Sequence, residues 1–552
     1  MKPQVDYSLY LVTDSTPAIL GTRDLIEVVE QALLGGVTIV QYRDKTNDTG
    51  VLISTAIQLH KLCQQHEVPL IINDRVDVAL AVGCEGVHLG QDDMSIASAR
   101  RLLGDDKIIG ATVSSVEQAK TAVESGADYL GIGTLYATAT KKNTKEIIGI
   151  NGIRKILYYL ARQEDKASRD MQTVCIGGVN ASNLQLITCQ LYAPSTKEAY
   201  TKHVGGVAIV SAIMAAKDVQ KATKNLKMLL TSSPPFRGQA PEALPWRQLE
   251  LEEVDYLKAS RWNATLTVHN KSPLSHNMTN LVVQNFAASV ALAIGASPIM
   301  SNNGDEAADL AKIGGGLVIN MGTATPDALA NHQKAIIAYN AVGGPIVLDP
   351  VGAGATTARR DALAFLMASG YFDLIKGNER EILAVARASG FILEDSSQQR
   401  GVDSGKSLFT IDEKAYLVSR IARREQNIVL MTGAVDVISD GHRTYSISNG
   451  DKYLGMVTGS GCTLGTTLAA YMAASPKDKL DAALAGIFHF EYAAEIAARR
   501  QDVKGPGTFV PAFIDELYHR RMDVVEGRLD WLDNAKIQPI HEIPDAGLLK
   551  EL

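Results

Sequence analysis

Between residues 8 and 211 the chain alternates short β-branched apolar runs with longer amphipathic stretches. The runs are SLYLVTD (8–14), TIVQYRD (38–44), PLIINDR (69–75), GVHLGQ (86–91), KIIGATV (107–113), YLGIGTLY (129–136), TVCIGGV (173–179) and GGVAIVS (205–211). Several are apolar almost without interruption, as strands buried on both faces require. Stretches such as 25–35 and 116–126 carry helical spacing, and the second closes on Ser-Gly-Ala-Asp, a glycine stop. Eight strand–helix units in about 200 residues predict a closed (β/α)8 barrel of the TIM type rather than an open sheet.

The pattern breaks near residue 231. TSSPPFRGQAPEALPW (231–246) is rich in Pro, Gly and Ser and fits no apolar period, so it reads as a linker. The stretch 247–262 is expected to be a helix that docks on the next domain. From about residue 264 a second α/β pattern begins: SPIMSNN, GGLVINMG, PIVLDPVG, DLIKGNE and NIVLMTG are strand-then-loop segments between alanine-rich helices. That order predicts a doubly wound, mostly parallel sheet with helices on both faces. The expected layout is a barrel over 1–230, a linker over 231–246, an α/β domain over 247–540 and a tail over 541–552.

Composition narrows the function classes. A chain of 552 residues is long enough for two or three cores, and a net charge of -7 argues against a surface that coats nucleic acid. The five cysteines (Cys63, Cys84, Cys175, Cys189, Cys462) are scattered and lack metal-ligand spacing, so they read as reduced thiols of a cytosolic protein. The N-terminal MKPQVDYSLY has no signal-peptide core, and runs such as 314–321 are too short to span a bilayer. Small-molecule substrates, and neither nucleic acid nor membrane, are therefore expected.

In a barrel the chemistry gathers at the C-terminal ends of the strands. The polar residues of the first half fall there: Gln41-Tyr42-Arg43-Asp44-Lys45, then Asn73 and Asp74, Gln91-Asp92-Asp93, Thr112, Thr138-Ala139-Thr140-Lys141-Lys142, Gly177-Gly178, and Val210-Ser211. Two carboxylates from adjacent strands suit Mg2+, and Arg and Lys suit a diphosphate bridged by that metal. Late glycines and a helix N-terminus suit a second phosphate. Taken singly, each Asp also reads as a helix cap and each Gly-Gly as a turn. The repetition on nearly every strand end favours a site.

QYRDK, IINDR, GVHLGQDD, ATATKK, IGGV and IVSAI, in that order over residues 7–225, resemble the motifs of thiamine phosphate synthase. That family joins a pyrimidinylmethyl diphosphate to a thiazole phosphate and releases pyrophosphate. The resemblance implies that Gln41, Arg43 and Lys45 hold the diphosphate beside Asn73, and that Asp74 and Asp93 hold Mg2+. It places Thr138, Thr140, Gly178, Val210 and Ser211 around the thiazole phosphate, with Lys141 bridging the two anions. Arg43 and Lys141 would then act catalytically on the leaving group. Thr112 stands where the family usually has Ser. The stretches 163–172 and 186–204 look like surface insertions.

In the second half the clearest signal is Val457-Thr458-Gly459-Ser460-Gly461-Cys462-Thr463 ahead of a helical stretch. Small residues before a helix start leave backbone N–H groups free for a transferring phosphoryl group, and Cys462 is placed as a base or polar contact. A glycine-rich helix start with a buried cysteine is the plainer reading of that motif alone. Lys376-Gly377-Asn378-Glu379-Arg380-Glu381 adds an N-x-x-E arrangement suited to Mg2+ and its waters. Asp349-Pro350-Val351-Gly352 opens a second glycine-rich strand end, with Arg359 close behind as a nucleotide contact. No G-x-x-x-x-G-K-[ST] is present, which excludes a P-loop kinase.

This set resembles the ribokinase-like superfamily, and PLSHNMTNLVVQNFAASVALAIGASPIM (273–300) resembles hydroxyethylthiazole kinase. The resemblance, over about 260–520, implies ATP-dependent phosphorylation of the thiazole alcohol. It assigns Arg359 and Thr432 to ATP, Met300 and Gly459 to the thiazole, and Asn378 and Glu381 to the metal network. Cys462 takes the place of a catalytic Asp in related sugar kinases. The kinase product would be the acceptor that the barrel requires. A pyrimidine kinase of the same superfamily, or a silent regulatory half, remains open at this level. Kinases of this family form trimers with sites between subunits, which implies a homo-oligomer, a hexamer if barrels pair.

Overall fold

The computed structural model describes residues 2–136, 147–193, 201–237, 252–393 and 408–551. The chain divides into two units, Met1–Ser233 and Pro234–Leu552.

In the first unit, strands Leu9–Val12, Ile39–Tyr42, Leu70–Asn73, Gly86–Leu89, Ile108–Val113, Tyr129–Ile132, Gln172–Ile176 and Gly206–Ile209 close into an eight-stranded barrel, each parallel to its neighbours. Alternation along each strand sorts the side chains. Leu9, Leu11, Val40, Leu70, Ile72, Val87 and Leu130 face the surrounding helices. Tyr10, Val12, Ile39, Ile71, Ile108, Tyr129 and Val174 fill the interior. The eight expected strands all form, and their polar segments begin within the last residues of the strand, as at Gln41, Asn73 and Thr112, or follow it. The helix Val116–Glu124 stops two residues before Gly126, whose φ of 85° only glycine adopts freely. One stretch expected as an insertion carries a short helix, Lys166–Asp170, capped by Asp165; the other carries a two-stranded ribbon, Tyr192–Ala193 with Lys202–His203.

The second unit carries a nine-stranded sheet. Its parallel part runs Ser297–Ile299, Leu274–Met278, Gly316–Asn320, Ile346–Asp349, Leu374–Asn378 and Ile428–Thr432 in spatial order. Three antiparallel strands, Asp436–Ser439, Thr444–Ile447 and Ile537–Pro539, extend it. Val318, Val347, Leu374 and Leu430 pack on one face with helices Ser460–Ala474 and Lys479–Arg499. Ile319, Leu348, Ile375 and Val429 pack on the other with helices Pro326–Val342, Thr357–Ser369 and Ile411–Glu425. Lys479–Arg499 is buried on nearly every side, which explains why it lacks an amphipathic stripe.

Two boundaries differ from expectation. The units divide inside the segment read as a linker, because Pro235–Arg237 form a 3-10 turn whose Phe236 is buried and stacks on Tyr371 at 4.9 Å. The segment read as a tail folds back: Leu549–Glu551 pairs antiparallel with Phe391–Leu393 and buries Leu549. The helix expected from 247 runs over Glu252–Lys271 and packs Ala264 and Val268 into the second core. No helix among the described residues is long and apolar enough to cross a membrane.

Candidate active sites

The barrel opens at its C-terminal end into a cavity of about 560 Å3. Gln41, Arg43, Lys45, Asn73, Asp74, Asp93, Thr112, Gly178, Val210 and Ser211 all line it. Parallel strands put every C-terminal end at one mouth, so polar residues far apart in sequence converge there. Asp74 sits at φ 62°, an unusual conformation outside glycine that turns it away from its strand, and Lys45 forms an ion pair with it. Asp93 accepts from the Gly90 N–H at 2.7 Å. Burial, and then the neighbouring Asp74 carboxylate, push the Asp93 carboxyl above its usual range. Two carboxylates set side by side in a cavity wall are an arrangement that a divalent cation relieves. Such a pair suits Mg2+, a hard cation that takes oxygen ligands. Among the described residues no three His, Cys, Asp or Glu side chains group as metal ligands.

Arg43 is braced from the first strand: its N–H donates to Thr13 Oγ1 at 2.9 Å, and its guanidinium lies 3.9 Å from the buried Asp14. Gly177 and Gly178 both take positive φ. A Cβ on Gly177 would meet Thr134 Cγ2 at 2.5 Å, so the backbone approaches the sixth strand end as only glycine permits.

In the second unit the first strand, Leu274–Met278, lies one in from the sheet edge; the next in sequence lies to one side of it and the third to the other. That reversal opens a crevice at the C-terminal ends of Leu274–Met278 and Gly316–Asn320, where open α/β sheets bind ligands. Helix Ser460–Ala474 starts there. Its N-cap, Gly459, sits at φ 90°, and a Cβ on it would strike Val283 Cγ2 at 2.6 Å. Cys462, in the first turn, accepts from Asn320 Nδ2 at 3.2 Å and from Asn280 Nδ2 at 3.9 Å. Asn320 Nδ2 also donates to Asp349 Oδ2 at 2.9 Å, and Lys376 Nζ lies 3.0 Å from Asp349 Oδ1. Lys376 and Asp349 are 3% and 2% exposed. Burial and the Asp349 carboxylate push the Cys462 thiol up to about 12, against the smaller opposing pull of Lys376 and Asn320. The helix start does not overcome that burial, so the thiol stays protonated at neutral pH.

Family models match both units. A hydroxyethylthiazole kinase family model covers residues 266–523, and a thiamine monophosphate synthase model covers 9–213. A Schizosaccharomyces pombe protein described as a probable thiamine biosynthetic bifunctional enzyme is 40% identical over 544 residues, covering 98% of this chain and 99% of its own length. A Saccharomyces cerevisiae thiamine biosynthetic bifunctional enzyme is 38% identical, covering 94% and 96%. A Clostridium beijerinckii thiamine-phosphate synthase is 40% identical over 227 residues, 41% of this chain and 97% of its own. The chain belongs to the family of thiamine biosynthetic bifunctional enzymes. The kinase model that matches is the thiazole one, so a pyrimidine kinase is not favoured.

In this bifunctional enzyme the barrel residues expected from sequence share one cavity, except Thr138, Thr140 and Lys141, which lie outside the described residues. The kinase residues are more dispersed. Asn378 and Glu381 form a capping box on helix Glu379–Ala388, so their spacing has a structural account. Glu381 also accepts from the Gly352 N–H at 2.8 Å, and burial followed by Asp349 raises its carboxyl. Arg359 donates to Val351 O at 2.6 Å and Gly322 O at 3.3 Å, bracing the loop after Asp349. Thr432 ends the strand beside Asn378. Met300 follows the edge strand Ser297–Ile299, and His276 Nε2 bonds the adjacent Ser301 carbonyl at 2.9 Å. Sequence reasoning passed over Asn280 and Asn320 and named Lys376 without giving it a role, although all lie within or beside the kinase motifs. In the barrel it passed over Tyr10, His88 and Tyr129, which line the cavity from inside the strands rather than from their ends.

Proposed function

We propose that the second unit transfers the γ-phosphoryl group of ATP to the primary alcohol of hydroxyethylthiazole. The barrel then couples the resulting thiazole phosphate to 4-amino-2-methyl-5-pyrimidinylmethyl diphosphate, giving thiamine phosphate and pyrophosphate. The observation that carries this reading is the single barrel cavity in which cationic, carboxylate and glycine-rich strand ends meet.

In the barrel, the C–O bond to the diphosphate breaks and the thiazole nitrogen bonds the freed methylene carbon, so no protein nucleophile is needed. Arg43 and Lys45 hold the departing diphosphate and offset its growing charge. Asp74 and Asp93 would hold Mg2+, which when bound adds further charge neutralisation on the same oxygens. Gly178, Val210 and Ser211 suit the acceptor's phosphate through backbone N–H groups. Lys141 is assigned to bridge both anions on the strength of its motif.

In the kinase, the thiazole hydroxyl oxygen attacks phosphorus, the bond to the ADP oxygen breaks, and the hydroxyl proton is released. Helix Ser460–Ala474 aims its free N–H groups at the transferring group. Cys462, protonated at neutral pH, serves as a polar contact rather than a strong base; such transfers rest mainly on positioning and charge. Asp349 and Glu381, with Asn378, would hold Mg2+ that accompanies ATP. Met300 and Gly459 are assigned to the thiazole, Arg359 and Thr432 to ATP. A cytosolic homo-oligomer is the expected state. Its five cysteines are free thiols, and Leu281 and Val282 stand exposed beside Val283, which packs at the helix start.

The test is turnover of the purified chain with hydroxyethylthiazole, ATP, Mg2+ and the pyrimidine diphosphate, following thiamine phosphate by mass spectrometry. Product should vanish without ATP and return when thiazole phosphate is supplied. No product from thiazole phosphate would overturn the barrel reading.

A further inference from the structure

A hydrogen-bonded chain runs across the inside of the barrel beneath the cavity. Gln41 Nε2 donates to Tyr10 Oη at 2.9 Å. Tyr10 Oη and Tyr129 Oη are 2.7 Å apart. Tyr129 Oη lies 2.8 Å from His88 Nδ1, and His88 Nε2 lies 2.9 Å from Thr112 Oγ1. All five side chains line the cavity. They come from the first, second, fourth, fifth and sixth strands, so the chain exists only in the closed barrel.

One proton order leaves no buried phenol proton without a partner along the chain. An amide nitrogen only donates, so the Tyr10 oxygen accepts from Gln41, and the buried Tyr10 proton finds an acceptor in this chain only if it goes to Tyr129. The Tyr129 proton then goes to His88 Nδ1, which leaves Nε2 as the N–H that donates to Thr112. The Thr112 hydroxyl proton is left for whatever fills the cavity. At the other end, the Gln41 carbonyl oxygen is left as an acceptor. Burial pushes the Tyr10 and Tyr129 phenols above their usual range, so neither ionises and breaks the sequence.

A fixed acceptor and a fixed donor suit a ring that offers an exocyclic amine and an unprotonated ring nitrogen. The 4-oxo analogue of the same pyrimidine inverts both, with a carbonyl in place of the amine and an N–H in place of the ring nitrogen. We propose that Tyr10, Tyr129 and His88 are positioning residues that set the polarity of Gln41 and Thr112, and so select the 4-aminopyrimidine diphosphate over its 4-oxo counterpart. The proposal rests on the synthase reading of the barrel. It also gives Thr112 a role that a Ser hydroxyl would fill equally.

The experiment measures kcat/KM of the full chain for both pyrimidine diphosphates, with thiazole phosphate as acceptor. The rings differ in intrinsic reactivity, but that difference is common to every variant, so the change in ratio reports recognition. Tyr129→Phe and Tyr10→Phe keep the ring packing and cut the chain at two points. Each should lower the amino-over-oxo ratio about tenfold, the discrimination that one oriented hydrogen bond supplies, mostly through KM for the amino substrate. In the wild-type protein, 15N NMR should show His88 as the Nε2–H tautomer. An unchanged ratio in both variants, or an Nδ1–H tautomer, overturns the relay. A wild-type chain that makes no product from the amino substrate overturns the synthase reading instead. If one variant does not fold, as judged by thermal melting, the other gives the ratio.

Discussion

Lys376→Met removes the cation from the centre of the kinase crevice and leaves its length in place. The magnitude follows from geometry. At 3.0 Å and an effective dielectric of about 20, Coulomb's law gives roughly 5 kcal/mol of attraction between Lys376 and Asp349. Desolvation of two nearly unexposed groups offsets much of this, so the intact pair adds little net stability. Breaking it is another matter. Asp349 and Glu381 would face each other without the ammonium group between them, and loss of one partner of a buried pair costs about 3–5 kcal/mol. Urea unfolding of the full chain, followed by a probe in the second unit, should show that loss. Kinase kcat should fall at least tenfold, on the order of 1.4 kcal/mol in the barrier, while barrel turnover with supplied thiazole phosphate stays unchanged. The double variant Lys376→Met with Asp349→Leu should recover part of the stability and none of the kinase activity. Kinase-unit stability within about 1 kcal/mol of wild type in Lys376→Met would refute the reasoning, since the pair would then be no more than a surface-grade contact.

Cys462→Ser should slow the kinase several-fold without altering the shape of its pH–rate profile between pH 6 and 9, because burial and Asp349 push the thiol up to about 12; loss of a rise in rate with pH in that window would show that it acts as a base. Asp93→Ala should abolish pyrophosphate release by the barrel and leave ATP consumption with hydroxyethylthiazole intact, measured in the same tube. Asp436 and Glu491 are buried together, and burial first, then each other's charge for Glu491, raises both carboxyls, Asp436 to about 6. An acid whose folded pKa is raised binds more protons folded than unfolded, so stability falls as pH climbs from about 4 through that value. Glu491→Gln should therefore reduce the loss of melting temperature of the second unit between pH 5 and pH 8; calorimetry showing the wild-type slope unchanged would exclude the pair as its source.

The barrel was legible from sequence because its constraints are local and repeated. Each buried strand is a short apolar run, and each site residue follows such a run, so strand ends predict a common mouth. Tyr10, His88 and Tyr129 escaped for the same reason. They occupy inward positions within the strands, and an inward tyrosine in the first strand says nothing of one in the sixth until closure places their hydroxyls 2.7 Å apart. The antiparallel extension of the second sheet escaped because Asp436–Ser439 and Thr444–Ile447 are four residues each and carry polar ends.

The kinase motifs were legible as motifs, but their chemistry was not. A cysteine at the first turn of a helix reads as a thiol made acidic by the helix start. The structure reverses that sign, because Cys462 is half-buried next to the Asp349 carboxylate, and desolvation is the larger effect. The N-x-x-E pair reads from sequence as metal chemistry, and the structure adds that its two side chains also close a capping box. The reversal at Cys462 has a long-range cause. Sequence spacing reports which groups share a turn, and the sign of a site depends on which charges arrive from other strands. Here these are Asp349 from the strand Ile346–Asp349 and Lys376 from its neighbour Leu374–Asn378. Asn320, from the strand on the opposite side of Ile346–Asp349, binds both the carboxylate and the thiol and so carries that long-range charge to the helix start.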